Sequence, residues 1–348
     1  MKTYGIGVIG CGYWGPNLVR NFARNPQCRV LAVCDGRRDR ANRVGAEFGV
    51  PLVTTQADEL IAAPGIDLVV VATPSFTHFA LAKAALEAGK HVLVMKPLTT
   101  TVEHAEELIA LADARGLLLA VDHTFVFTGA VRHMRRLIDA GEIGDLYYFD
   151  SVRINLGLIQ TDVNVVWDLA PHDVSIMDYL LGKEPTSVAA QAAGHGGSPT
   201  ENIAYLTVRY GGSLLGHVHV NWLAPAKVRR TIVGGSKRMM IYDDMEPSEK
   251  LKVYDKGVNI SNDLNAENEY QYMISYRSGD MHAPNIDTRE ALGVEVENIV
   301  AAMAGREELA SDGRAGGRVV RILEAAQRSI EQGGALIRLN AVGASVAV

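Results

Sequence analysis

The chain has 348 residues, of which 48% are hydrophobic and 21% are charged, and its formal net charge is −6. This composition is typical of a globular protein, and the length allows two domains with separate cores. The negative net charge gives no indication of a surface for nucleic acid, and no apolar run reaches the roughly 20 residues that a membrane-spanning helix needs.

The first predicted strand is a short apolar run that begins near residue 4 and leads directly into a glycine turn. Gly10, Gly12 and Gly15 have the spacing G-x-G-x-x-G, and apolar residues at helical spacing follow over residues 18–22. In such a motif the first glycine allows a tight turn, the second lets backbone approach a pyrophosphate, and the third lets the helix pack closely on the strand. Between a strand and a helix, the motif predicts a dinucleotide site. A glycine turn in an ordinary α/β unit is the alternative interpretation.

The second predicted strand covers residues 29–35 and ends in Asp35. An acid about 20 residues after the glycines is placed to accept hydrogen bonds from the ribose hydroxyls of NAD. Arg37 and Arg38 follow it, and either could hold the 2′-phosphate of NADP. The sequence therefore favours NAD and leaves NADP open.

Strands and helices continue to alternate as far as residue 121. The pattern predicts a doubly wound parallel α/β sheet, which we assign to a first domain over residues 1–122. The remaining elements of this domain are predicted at 41–48 (helix), 52–53 (strand), 67–72 (strand), 78–88 (helix), 91–95 (strand), 102–114 (helix) and 117–121 (strand).

After residue 122 the pattern changes to long strands with few helices, which predicts an α+β second domain, 123–348, with a large, mostly antiparallel open sheet. Gly211 and Gly212 predict a hairpin, and residues 234–237 a second turn. Packing of the last two helices against the first domain is left open. The predicted elements are a helix at 130–140, strands at 146–155, 187–193, 203–210, 213–222, 229–234 and 238–243, a helix at 171–181, an irregular arm at 259–285, helices at 288–304 and 317–332, and a frayed tail or edge strand at 341–348.

Ligands of an open parallel sheet bind beyond the carboxyl ends of its strands. Thr73-Pro74 and Lys96-Pro97 follow two of the predicted strands and therefore lie at that edge. Lys96 becomes a candidate for the reaction chemistry, although a solvated lysine at a strand end is the commoner case.

Asp168 and His172 are four residues apart in an otherwise apolar segment. Because proline is tolerated in the first turn of a helix, Pro171 predicts a helix that begins near Ala170. His172 would then lie close to a helix N-terminus, where the dipole favours the neutral imidazole that can take a proton. The alternative is that Asp168 only caps the helix and His172 is a satisfied surface residue. A zinc site is rejected because no further ligands have a suitable spacing, so no metal is expected.

Together these motifs resemble the Gfo/Idh/MocA oxidoreductase family, which includes inositol, sugar and nucleotide-sugar dehydrogenases. The resemblance spans essentially the whole chain and rests on the glycine turn, Ala72-Thr-Pro74 with His78, Lys96-Pro97 and the segment from Asp168 to His172. It implies a Rossmann domain followed by an open-sheet domain. It also implies that Lys96 and His172 flank the substrate carbon that faces the nicotinamide.

The resemblance and the motifs together assign the site residues. Lys96, Asp168 and His172 are expected to be catalytic and to contact substrate, with Arg153 and Asn155 as further substrate contacts on the preceding strand. The expected cofactor contacts are Gly10, Gly12, Tyr13, Trp14, Gly15, Asp35, Arg37, Arg38, Thr73, Pro74, His78, Lys96 and Pro97.

The predicted function is hydride transfer between NAD(P) and a secondary carbinol or ketone of a sugar, nucleotide sugar or cyclitol. Two alternatives remain: a relative that retains NAD and uses transient oxidation to drive elimination or glycoside cleavage, and a non-catalytic nucleotide-bound sensor or scaffold. Met95 is the hint for the last of these, because the family has a glutamate before the lysine, in Glu-Lys-Pro.

The expected partners are a sugar or nucleotide-sugar substrate and further copies of the chain. A homodimer or homotetramer through the second-domain sheet is expected, with neither nucleic acid nor a membrane as partner. Three cysteines without a metal-like spacing favour a reducing compartment. With no room for a signal peptide before the first strand, we predict a cytoplasmic protein.

Overall fold

The computed structural model describes residues 2–157, 163–261 and 273–339, and these divide into two units of packed backbone. The first unit consists of the described residues of Met1–Thr128 and Thr288–Glu324. The second consists of those of Gly129–Asp287 and Ala325–Val348.

Strands and helices alternate in the N-terminal segment, with short 3-10 turns at Ser75–Thr77 and Thr124–Phe127. The elements are β1 (Tyr4–Ile9), α1 (Gly15–Arg24), β2 (Cys28–Cys34), α2 (Arg38–Phe48), β3 (Leu52–Thr54), α3 (Ala57–Ala62), β4 (Leu68–Val71), α4 (His78–Glu87), β5 (His91–Met95), α5 (Val102–Arg115) and β6 (Leu119–Asp122).

The rest of the chain supplies the second sheet and the last helices. Its elements are α6 (Gly129–Asp139), β7 (Leu146–Leu156), α7 (Val165–Leu181), β8 (Pro185–Ala193), β9 (Ile203–Tyr210), β10 (Leu215–Asn221), β11 (Leu223–Gly235), β12 (Met239–Asp243), β13 (Leu251–Tyr254), β14 (Gly257–Ser261), β15 (Met273–Arg277), β16 (Met281–His282), α8 (Ala291–Met303), α9 (Gly313–Glu331) and β17 (Ile337–Arg338).

The described strands of the first unit form one parallel sheet in the order β3-β2-β1-β4-β5-β6. This is the order of a dinucleotide-binding fold, and its topological switch point lies between β1 and β4. β4 is buried along its whole length because helices cover both faces of a parallel sheet. The prediction of a doubly wound α/β sheet is confirmed.

The core of the first unit includes residues from both ends of its sequence. Leu18, Val19 and Phe22 on α1 are fully buried and belong to the same apolar cluster as Val296 and Ile299 on α8. Residues about 280 positions apart in the chain therefore close a single core.

In the second unit the described strands form a nine-stranded sheet in the order β16-β13-β12-β11-β7-β10-β9-β8-β17. β7 and β10 are parallel neighbours, and the other pairs are antiparallel. α7 packs on one face, against β7, β9 and β10. Burial alternates accordingly along β9, where Ala204, Leu206 and Val208 are buried and Tyr205 is 45% exposed on the other face. The predicted mostly antiparallel open sheet and both predicted turns are confirmed.

The predicted start of α7 is wrong. The helix begins at Val165, not near Ala170, and Pro171 lies inside it. A proline there removes one helical hydrogen bond, but the Asn164 side chain caps the helix by accepting from the Trp167 N–H at 3.2 Å, and the first turns bury their apolar side chains. His172 is thus the eighth helical residue, beyond the first turn in which the dipole acts, and Asp168 is not the cap.

The irregular arm predicted over 259–285 is also wrong in part, because β14 and β15 pair as a two-stranded antiparallel sheet and β16 pairs with β13. The structure adds α3, β13 and β17, which the sequence did not predict. The tail or edge strand predicted at 341–348 lies outside the described residues. None of the described helices has the length and apolar character needed to cross a membrane.

Candidate active site

The glycine turn between β1 and α1 has three glycines with different physical roles. Gly10 has φ +102°, and a Cβ there would collide with the carbonyl oxygen of Ala72; a Cβ on Gly15 would collide with the carbonyl oxygen of Gly10. The fold therefore needs both glycines. A Cβ on Gly12 would meet nothing within 4 Å. The open space beside Gly12 fits the close approach of a pyrophosphate to backbone, as the motif requires.

Asp35 at the end of β2 is held in place by backbone amides. Its Oδ2 accepts from the Cys11 N–H at 2.8 Å, and its Oδ1 accepts from the Arg37 N–H at 2.8 Å. The half-buried carboxylate is therefore fixed beside the glycine turn, where it fits a ribose diol.

The two arginines after Asp35 have partners in their own unit. Arg37 Nη2 lies 2.8 Å from Asp39 Oδ2, and Arg38 Nη1 donates to the Val53 carbonyl at 3.3 Å. Both side chains are exposed. A 2′-phosphate would have to compete with Asp39 for Arg37.

His78 joins the loops that follow β4 and β5. Its Nδ1 lies 2.8 Å from the Pro97 carbonyl oxygen and its Nε2 lies 2.9 Å from the Thr73 carbonyl oxygen, while the side chain is 1% exposed. Burial lowers the pKa of His78, and the two carbonyl contacts oppose that shift. His78 therefore ties Thr73-Pro74 to Lys96-Pro97 from inside the fold.

Lys96 follows β5 at the ligand edge and is half-buried. Burial lowers the pKa of His123 to about 3, and the Lys96 ammonium adds to that shift. Burial raises the pKa of Asp122, whereas hydrogen bonds from Thr124 and the charge of Lys96 oppose it. Lys96 thus acts electrostatically on the two residues at the end of the neighbouring strand.

A buried carboxyl pair, Asp122 with Glu295 of α8, was not found from the sequence. The two side chains are 2% and 1% exposed and lie against each other. Burial raises the pKa of Glu295 well above its ordinary value, and the neighbouring Asp122 adds to the shift. The available signals were an acid at the end of an apolar strand and a lone acid between Val294 and Val296.

In the second unit, Asp168 and His172 lie one turn apart on α7. Asp168 Oδ2 accepts from the indole Nε1–H of Trp222 at 3.2 Å, and Trp222 is 1% exposed. The Trp222 carbonyl in turn accepts from the Gly157 N–H at 2.9 Å. The indole fixes the carboxylate of Asp168 near the end of β7, while His172 is half-buried beside it on the helix.

Arg153 and Asn155 lie on the face of β7 that α7 covers. Arg153 Nε and Asp173 Oδ2 are 2.5 Å apart in a pair whose side chains are 4% and 3% exposed. Arg153 therefore ties β7 to α7, and Asn155 is half-buried farther along the strand. Their contact with substrate stays a prediction.

The three thiols are poor nucleophiles. Burial raises the pKa of Cys11 and of Cys28 to about 12 and that of Cys34 to about 11. Because the thiolate is the reactive form, Cys11 in the glycine turn acts as a small buried residue.

Two protein-family models match the chain. The one described as the oxidoreductase family with an NAD-binding Rossmann fold matches residues 4–123, and the one described as the GFO/IDH/MocA C-terminal domain matches residues 131–241. Between them they cover both the glycine turn and the Asp168–His172 segment.

Several curated proteins are similar over most of the chain. An uncharacterized oxidoreductase, YdgJ, of Escherichia coli is 30% identical over 70% of this chain and 72% of its own. UDP-N-acetylglucosamine 3-dehydrogenase of Acidithiobacillus ferrooxidans is 28% identical over 90% of this chain and 93% of its own. The solved structure of the latter enzyme superimposes with a TM-score of 0.80 at 26% identity, covering 95% of this chain and 99% of that one.

A third relative adds a different class of substrate. The scyllo-inositol 2-dehydrogenase (NAD+) of Bacillus subtilis is 33% identical over 55% of this chain and 55% of its own. The two named dehydrogenases thus differ in the alcohol on which they act, a nucleotide sugar in one and an inositol in the other.

Proposed function

The chain belongs to the Gfo/Idh/MocA family of NAD-binding oxidoreductases, and we propose that it transfers hydride between NAD and a secondary carbinol or ketone carbon of a sugar, nucleotide-linked sugar or cyclitol. The observation that carries the proposal is the carboxyl edge of the first sheet. There the open position at Gly12, the fixed carboxylate of Asp35 and the half-buried Lys96 follow β1, β2 and β5.

The residues of this chain contribute binding and proton transfer. When bound, NAD supplies a nicotinamide carbon that accepts or donates the hydride. Oxidation of a secondary alcohol also releases the hydroxyl proton, and a positioned side chain must take it. We assign this task to Lys96 or His172, with Asp168 orienting His172 or accepting a substrate hydroxyl.

NAD is the proposed cofactor in preference to NADP. A 2′-phosphate would be repelled by the carboxylate of Asp35, which two backbone amides hold in place. Arg37 is engaged by Asp39 and Arg38 by a backbone carbonyl, so neither is preorganised for phosphate.

We propose that the predicted first domain, 1–122, carries the cofactor residues and Lys96, and that the predicted second domain, 123–348, carries the other substrate residues, with α8 packing into the core of the first. Location in a reducing compartment, the cytoplasm, is supported by three cysteines that are all free thiols.

A substrate screen tests the proposed function. The protein is incubated with NAD and with free sugars, inositols and UDP-linked sugars in turn, and NADH is followed by its absorbance. We expect one of these classes to give NADH in proportion to ketone product. Tight binding of NAD with no NADH and no product from any class would contradict the proposal.

A second candidate function is that of a nucleotide-bound sensor. Met95 favours it, because this residue replaces the glutamate that the family has before the lysine. Substrate-dependent isotope exchange at nicotinamide C4 separates the two functions: a dehydrogenase, or a relative that retains its NAD, catalyses it, and a sensor does not.

A further inference from the structure

The carboxyl groups of Asp122 and Glu295 lie in contact in the interior of the first unit. One oxygen of Asp122 accepts from the Thr124 N–H at 3.0 Å and also from its hydroxyl. The other oxygen of Asp122 and both oxygens of Glu295 have no hydrogen-bond donor among the described residues. Two ionised carboxylates in contact would repel each other strongly in a buried site. One proton shared between the two carboxyl groups removes this repulsion and forms a hydrogen bond between them.

The strand register places this pair next to the residue before Lys96. Met95 at the end of β5 is the register partner of Asp122 at the end of β6, so both side chains lie on one face of the sheet. α8 covers that face, with Leu292 and Val296 in the same apolar cluster as Met95. At this edge of the sheet β5 ends in the uncharged Met95, and the neighbouring strand β6 ends in the carboxyl group of Asp122.

Lys96 also acts electrostatically on two buried histidines. His78 of α4 and His123, which follows β6, are each 1% exposed, and burial lowers the pKa of both. They add no positive charge that would compete for the carboxyl pair. The charge of Lys96 acts on a carboxyl group here, that of Asp122.

We propose that Asp122 and Glu295 share one proton and act as positioning residues, holding one negative charge beside Lys96 and keeping its ammonium at the ligand edge. The inference rests on the proposed function, with His172 taking the hydroxyl proton and the Lys96 ammonium donating a hydrogen bond to the substrate oxygen. Asp122 carries the negative charge, and the protonated carboxyl group of Glu295 donates a hydrogen bond to it.

Two variants separate charge from packing. Glu295→Gln replaces the proton donor with an amide N–H and leaves the charge on Asp122, so kcat should stay close to wild type. The double variant Asp122→Asn/Glu295→Gln keeps the shape of the pair and removes its charge. There kcat should fall about tenfold or more and its pH profile should move toward lower pH, with little change in KM.

Ser311→Ala is the matched control, because Ser311 is 3% exposed and donates to the Val121 carbonyl of the same strand at 2.7 Å. It removes a buried hydrogen bond without changing charge, and it should lower the free energy of unfolding while leaving the pH profile in place. Equal losses of kcat in Glu295→Gln and the double variant, or an unmoved pH profile in the double variant, would overturn the proposal.

An experiment without substrate tests this inference independently of the proposed function. Acetic anhydride acylates only the unprotonated amine, and mass spectrometry of the Lys96 peptide measures its rate at fixed pH. We expect faster acetylation of Lys96 in the double variant than in wild type, Glu295→Gln or Ser311→Ala. Equal rates would refute the inference even if the enzyme oxidises a sugar. Faster acetylation with no turnover of any substrate would support the carboxyl pair and refute the proposed function.

Discussion

Gly12 is the residue at which cofactor binding can be separated from folding. A Cβ there meets nothing within 4 Å of the protein, so Gly12→Val should fold normally. It should abolish NAD binding, because the side chain would fill the space that a pyrophosphate needs. Isothermal titration calorimetry measures the affinity. Gly211→Val, at an equally open position in the β9–β10 turn, is the control and should bind NAD like wild type; unchanged affinity in folded Gly12→Val would place the nucleotide elsewhere.

Asp35 should set the preference for NAD over NADP. Removing a charged hydrogen-bond acceptor costs about 1.5–3 kcal/mol, so Asp35→Ala should weaken NAD binding by about tenfold or more and reduce the discrimination against NADP. Fluorescence titration with both nucleotides measures this. Asp39→Ala removes the partner of Arg37 and should leave NAD affinity unchanged. A wild-type preference for NADP would instead assign Arg37 and Arg38 to the 2′-phosphate.

Lys96 and His172 are the residues to which we assign proton transfer. A positioned acid–base group contributes about 10²–10⁴-fold, so Lys96→Ala and His172→Ala should each lower kcat on that scale while NAD still binds. If both act in one step, the double variant should lose far less than the product of the two losses. Lys83→Ala, in an exposed ion pair, should have no effect. Near wild-type turnover in both single variants would remove the assignment.

At the scale of elements, the buried pair Arg153–Asp173 anchors α7 on β7. Asp173→Asn removes the carboxylate that balances a guanidinium 4% exposed, and should lower the free energy of unfolding by about 3–5 kcal/mol in urea denaturation. Arg153→Met/Asp173→Leu should recover much of the loss. Asp139→Asn in the exposed Arg135–Asp139 pair should cost about 0.3–0.5 kcal/mol. A cost below about 1 kcal/mol for Asp173→Asn would show that the pair does not anchor the helix.

The sequence predicted most elements because burial leaves a clear pattern in it. β5 and β9 have the predicted bounds, since each is an apolar or alternating run between turn residues. α7 was misplaced because Pro171 is a strong local signal, whereas the cap at Asn164 and the packing of the first turns are contacts that only the fold reveals. The polar residues around β14 and β15 gave no clear strand pattern, so the pairing of these two strands was missed although they are neighbours in the chain.

The candidate site was predictable to a similar extent. The glycine turn and Asp35 are local motifs of known geometry, and the structure gives them the contacts described above. The carboxyl pair was not predicted, because Asp122 and Glu295 are 173 positions apart and the apolar neighbours of each acid do not show that the two meet.

At the scale of the whole molecule, the face of the second sheet opposite α7 is expected to join copies of the chain. Tyr148, Tyr205 and Leu215 on this face are 38%, 45% and 38% exposed, and a ring stack of Tyr205 on His219 extends it. Large exposed apolar patches mark protein interfaces. Tyr205→Glu should shift the protein from dimer or tetramer toward monomer in sedimentation velocity, and Met245→Glu, in an exposed turn, should not. A monomeric wild type would contradict the expectation.

The core of the first unit contains residues from two distant segments of the chain, so it cannot be completed until the second of these segments has been translated. A ribosome that has released residues 2–128 has made the whole parallel sheet but not α8, whose Leu292, Val296 and Ile299 cover it. At about 5–20 residues per second, the apolar surface under α8 therefore stays uncovered for some ten seconds or more while the second unit is translated. The nascent N-terminal segment therefore exposes this apolar surface while residues 129–287 are made, and the first unit, although it begins first, is completed only after most of the second has been translated.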